Sequence, residues 1–156
     1  MKIAAIIAAV AIPNMASAVS VTGNASVQIQ TAITASQTQQ MNFGTVAPAA
    51  TAGVVTLTPA GQTSSPTLAT YGTPAAGQFT ITAQPSTALN VTFADGTVTN
   101  GANTMTVDTF TSTSTPASNT TDASGNLALN VGANLNVGAN QAAGTYNGNY
   151  TVTVNY

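Results

Sequence analysis

Apolar and polar residues alternate with a period of two through much of this chain, most regularly at residues 144–156, which read G-T-Y-N-G-N-Y-T-V-T-V-N-Y. Tyr146, Gly148, Tyr150, Val152, Val154 and Tyr156 share one parity, and Asn147, Asn149, Thr151, Thr153 and Asn155 lie between them. Successive side chains of a β-strand point to opposite faces, so this pattern predicts a strand with one apolar, partly aromatic face and one hydroxyl or amide face. A second run of comparable regularity lies near the other end. Its odd positions are Val19, Val21, Gly23, Ala25, Val27, Ile29, Thr31, Ile33 and Ala35, and its even positions are polar apart from Ala32. Two readings of that run stand side by side: a first strand paired within its own sheet, or a strand donated to a neighbouring molecule.

The same periodicity predicts shorter strands in between. Residues 41–46 form one, with Gly44 marking a bulge or a close backbone approach. Residues 37–40 are a polar link, residues 54–59 a strand ended by Pro59, and residues 60–77 a long surface connection with room for a short strand at 67–71. Further strands are expected at 78–82 and 89–93, with Asp95-Gly96 as a hairpin turn and Asn100-Gly101 as a second turn. A strand at 104–110 precedes a polar loop at 111–125, and residues 127–131 and 135–137 form two strands separated by a turn at Gly132. Past the first residues no segment has helical periodicity. Roughly eight to ten short strands with turn-rich links predict an all-β, antiparallel sandwich with Greek-key connections. A closed barrel is the alternative, and a β-helix is disfavoured because no fixed-period repeat is found.

Residues 1–18 stand apart. Met1-Lys2 is a short positive start, residues 3–12 are an Ala/Ile/Val run, and Ala16-Ser17-Ala18 fits the small-residue pattern of a signal-peptide cleavage site. The run is far shorter than the ~20 apolar residues of a membrane span. The expectation is a secreted protein: a signal peptide at 1–18, an N-terminal extension at 19–36 and one β domain at 37–156. With that leader goes Lys2, the single basic residue, leaving Asp95, Asp108 and Asp122 as the charged side chains. A chain without Lys or Arg offers no basic patch, so neither nucleic acid nor an anionic membrane surface is an expected partner. There is no cysteine, so packing and hydrogen-bonded ladders must stabilise the domain without disulfides. An apolar fraction of 44%, set in register over many segments, argues against disorder.

Catalysis is poorly provided for. Without His, Cys, Glu or a mature Lys, the usual general bases and activated nucleophiles are missing, and the three aspartates are far apart in sequence. No enzyme, cofactor or metal site is expected. Residues 122–126 hold several oxygen donors, but they lack EF-hand spacing and a distal carboxylate, and are expected to form a turn in which Asp122 bonds its own backbone. The four glycosylation sequons, at Asn24, Asn90, Asn119 and Asn149, are what chance yields in a chain this rich in Asn and Thr. Thr-x-Thr pairs recur at irregular intervals, which does not suit an ice-binding array.

Residues 41–46 (M-N-F-G-T-V), 55–59 (V-T-L-T-P), 101–107 (G-A-N-T-M-T-V) and 143–156 together resemble the bacterial secreted family filed as domain of unknown function 4402. The layout in turn is similar to the pilin subunits of chaperone–usher fimbriae. That resemblance implies an immunoglobulin-like sandwich, incomplete by one strand, which a neighbouring subunit's extension completes. Carried onto this chain, it implies a donor strand whose inserted residues are Val21, Ala25, Val27, Ile29 and Ile33. It also implies an acceptor groove lined by Tyr146, Tyr150, Val152, Val154 and Tyr156. The implied partners are further copies of the chain in an extracellular filament, with a periplasmic chaperone and an outer-membrane usher in assembly. The chain departs from many such pilins in having no disulfide, and in placing its tyrosine at the last position of the sequence. A monomeric secreted binding or adhesion module, with loops 60–77 and 111–125 as its contact surface, is the competing class.

Overall fold

The computed structural model describes residues 18–156, so the expected signal peptide lies outside the described residues but for its last position. Ten strands form: β1 Thr34–Gln39, β2 Thr45–Val46, β3 Gly53–Leu57, β4 Thr63–Ser64, β5 Thr70–Tyr71, β6 Gly77–Thr82, β7 Asn90–Asn100, β8 Asn103–Thr115, β9 Asn126–Val137 and β10 Asn147–Asn155. There is no helix among the described residues. Eight strands make one antiparallel sheet in the order β1-β6-β9-β8-β7-β10, with β3 also paired to β9 and β4 to β3. β2 and β5 make a separate two-stranded ribbon.

β9 is the spine. Its odd side chains Leu127, Leu129, Val131, Ala133, Leu135 and Val137 are all buried. One edge pairs with β8; the other is shared, β6 taking residues 126–131 and β3 taking residues 133–137. Gly132 sits at the handover, where a Cβ would collide with the Leu57 carbonyl oxygen. The turn expected at Gly132 is therefore not formed: the glycine is there for backbone approach and one strand runs through it.

Three other expectations are corrected in the same region. Asp95-Gly96 lies inside β7, at an irregularity in its pairing with β10 where Gly96 lets the Asn149 carbonyl close in; the hairpin is made by Gly101-Ala102, with Gly101 at φ 59°. Residues 111–115 are not loop but the end of β8, held by pairing with residues 128–132 of β9. Residues 37–40 are no polar link, because β1 runs from Thr34 to Gln39 against β6. The expected Asp122 turn is found: its Oδ1 accepts the N–H groups of Ser124 and Asn126, both at 2.8 Å. Its carboxyl is held below the ordinary value chiefly by the Asn126 bond.

The sheet is folded over its own apolar face, giving a sandwich-like core. Ile81 of β6 and Leu127, Leu129 and Val131 of β9 pack against Val91 and Phe93 of β7 and against Tyr150, Val152 and Val154 of β10. Beyond them Val55, Leu68, Val107, Ala133, Leu135 and Val137 form a second cluster, which Met41, Phe43, Val98 and Met105 cover. Folding brings the two terminal strands of the sheet, β1 and β10, towards each other without joining them.

Candidate functional site: an open groove between two sheet edges

Between β1 and β10 lies a groove of about 1080 Å³. Ala35, Gln37 and Gln39 form one wall, and Tyr146, Tyr150, Val152 and Val154 line the other. Its floor is the core itself: Phe79, Ile81, Val107, Leu135 and Val137. No ionisable carboxylate or amine lines it. The apolar side chains of β10 are only half-buried although they point inwards, because nothing covers them on the groove side. Every residue of β1 is exposed, Ala35, Gln37 and Gln39 towards this same uncovered groove. Each of these two strands pairs along one edge only, and the other edge presents unpaired N–H and C=O groups, which is the template for strand addition.

The directions of the walls follow from the topology. Five antiparallel steps lead from β1 to β10, so the two run in opposite senses. A strand laid between them must be parallel to one and antiparallel to the other. The lower end of the groove is where β1 begins and β10 finishes; the upper end is flanked by residues 40–46 and 141–146. At that upper end the Tyr146 hydroxyl donates to the Ala142 carbonyl at 2.8 Å and accepts from Gln141 Nε2 at 2.9 Å.

Tyr150 reaches from its wall to the floor. Its ring packs edge-on to Phe79 at 6.2 Å and against Phe110 at 5.1 Å, and Phe110 stacks on Phe93 at 5.4 Å. The hydroxyl is buried with no hydrogen-bond partner, above Gly77, where any Cβ would collide with it. Burial pushes this phenol up to about 12.

The sequence-derived residues divide as follows. Tyr146, Tyr150, Val152 and Val154 line the groove; Tyr156 does not. Its hydroxyl instead donates to the Thr31 carbonyl and accepts from the Gln84 N–H at 3.0 Å, below the groove's lower end. Val21, Val27 and Ile29 stand 87%, 86% and 87% exposed, Val19 is 83% exposed, and Ala25 is also exposed. Residues 18–33 belong to no strand, and the run enters its own sheet only at Thr34 and Ala35, the first residues of β1. Ile33 differs from the other four: it packs against its own core, which places the root of the free segment just ahead of it. Sequence reasoning missed the β1 wall and Gln84. The odd parity of Ile33 and Ala35 does continue through Gln37 and Gln39, but two glutamines carry no apolar signal.

Among the described residues no three His, Cys, Asp or Glu side chains gather to hold a metal ion, and no helix is long and apolar enough to cross a membrane. What these features define is an antiparallel all-β domain with an open, strand-walled groove over an apolar floor and an exposed extension of matching periodicity. The chain belongs to the family described as Domain of unknown function (DUF4402), which it matches over residues 33–156. That match begins where Ile33 docks on the core, leaving the exposed run outside it. No curated protein and no solved structure matches the chain.

Proposed function

We propose that the protein is a structural subunit of an extracellular filament, an incomplete immunoglobulin-like sandwich whose groove receives the extension of a second copy. The observation that carries this is complementarity within one chain: a strand-walled groove with an apolar floor and no carboxylate or amine, and an exposed, uncharged segment whose apolar residues alternate as a strand filling it would require. Residues 19–30 span about 40 Å when extended, longer than the nine-residue β10 that forms the wall.

Polarity follows from where the extension leaves. Thr31 sits at the lower end of the subunit's own groove, beside Tyr156. For copies to add head to tail, the incoming strand must enter with its root at the upper end, running antiparallel to β10 and parallel to β1. Val19 and Val21 of the donor then lie near Val152 and Val154, and Val27 and Ile29 near Tyr146. Burying a Val or Ile side chain contributes about 1.5–3 kcal/mol, so Val21, Val27 and Ile29 with the main-chain ladder give the joint its hold.

Negative-stain microscopy and electrophoresis of unheated samples test the reading. Wild type is expected to give fibres and a heat-sensitive ladder, and Ile29→Asp neither, while a peptide of residues 19–31 still completes the Ile29→Asp domain and raises its melting temperature. A single monomer band without fibres for the wild type would overturn the proposal in favour of a monomeric adhesion module.

A further inference from the structure

We infer that Thr31, Gln84 and Tyr156 form a latch that keeps each extension out of its own groove and so reserves that groove for a neighbour. The inference rests on the filament reading above. A subunit's own extension is tethered beside its groove, and a short flexible tether gives an effective concentration on the order of millimolar. Closure within the chain needs only a hairpin: residues 31–33 as the turn, the extension running down beside β1, antiparallel to it and parallel to β10. Such closure would compete with assembly at any ordinary protein concentration, unless the turn residues are committed elsewhere.

They are. Ile33 is docked on the core. The Thr31 N–H and hydroxyl both donate to Gln84 Oε1, at 3.3 and 3.0 Å, and its carbonyl accepts the Tyr156 hydroxyl. Gln84 lies two residues past the last β1 partner on β6, Thr82, so these bonds draw the chain along the β6 side of β1, away from the edge that faces the groove. Tyr156 reaches to them from the end of β10 on the opposite wall, its oxygen also accepting the Gln84 N–H at 3.0 Å. The three residues thus span the lower end of the groove, where a self-insertion hairpin would have to turn. They are positioning residues, acting on which strand enters and not on the strand's grip once inside.

Because the chain has no cysteine, two engineered pairs read out which strand fills the groove. Val21→Cys with Val152→Cys brings the thiols together when a neighbour's strand enters, and yields a disulfide ladder. Val27→Cys with Val152→Cys brings them together when the chain's own strand folds in, and yields an internally closed monomer. With the latch intact, the first pair should give the ladder and the second little closed monomer. Adding Tyr156→Phe and Gln84→Ala should raise the closed monomer by at least about tenfold at the ladder's expense, the scale of losing the three hydrogen bonds that Thr31 makes. Gln84→Glu, which keeps the side-chain acceptor for Thr31, should preserve the ladder. Thermal melts of each variant confirm that the domain remains folded. An unchanged ladder in the doubly substituted chain, or closed monomer already dominant with the latch intact, overturns the latch. No ladder from the first pair with the latch intact overturns the filament reading instead, and the second pair still judges the latch by whether closure appears only once it is broken.

Discussion

Tyr150 concentrates the properties of the groove in one side chain. Its ring is held by Phe79 and Phe110, yet its hydroxyl is buried with no partner. An unsatisfied buried hydroxyl costs about 1–3 kcal/mol, so Tyr150→Phe, which keeps the stacked ring, should leave stability unchanged or raise it by up to ~1 kcal/mol in urea melts. The two proteins should diverge in alkali. Folding raises the phenol from 10.0 to about 12, so the folded chain holds a proton that the unfolded chain releases. That contribution is intact below about pH 10 and is lost as pH rises from 10 towards 12. The wild type should therefore lose melting temperature over this interval more steeply than Tyr150→Phe; parallel curves would refute the assignment. The alternating pattern predicted that Tyr150 faces inwards, since parity alone settles that. That its hydroxyl would be stranded was not legible, because Gly77, which makes room for it, lies far away in sequence.

Strands differ in what they depend on. Leu129 of β9 is fully buried and touched from both layers, so Leu129→Ala should cost about 2–5 kcal/mol in the isolated domain, read from chemical denaturation. Val152 of β10 is half-buried on an open wall, so Val152→Ala should cost less than half as much in the monomer while, under the proposed function, shortening the lifetime of the joint between copies. Equal losses at the two sites in the monomer would mean the groove is already filled. The element pattern was legible wherever apolar residues alternate against polar ones, as in β6, β10 and the first half of β9. It failed where pairing, and not burial, makes the strand. Residues 111–115 read T-S-T-S-T and look like loop, but β9 supplies their ladder. Gly96 and Gly132 read as turns, because sequence reveals a glycine's freedom and not the carbonyl that approaches it.

At the scale of the whole molecule, the missing charge is the governing property. Residues 18–156 contain no Lys or Arg and three Asp, none of which lines the groove. Under the proposed function the joint between subunits is then built without ion pairs, and its rate of formation should change by less than about twofold between low and moderate sodium chloride; a steep dependence, the mark of electrostatic steering, would contradict it. Fold class and the β10 wall were legible because periodicity and composition carry them. The groove was expected only through the family resemblance and not from periodicity, since it is an absence between β1 and β10 that only the closing of the sheet creates. The extension's exit beside the end of β10 bears on how such an assembly carries a pull. Under the proposed polarity a donor strand has its root at the upper end, while the acceptor's own extension departs from the lower end, beside Tyr156. Tension along the filament would then act as shear along the strand axis, loading all the ladder bonds of a joint at once and not peeling them one by one. The joint's survival under load is a matter of its unfolding rate, and a strand with two walls to slide against has no single bond at which to begin.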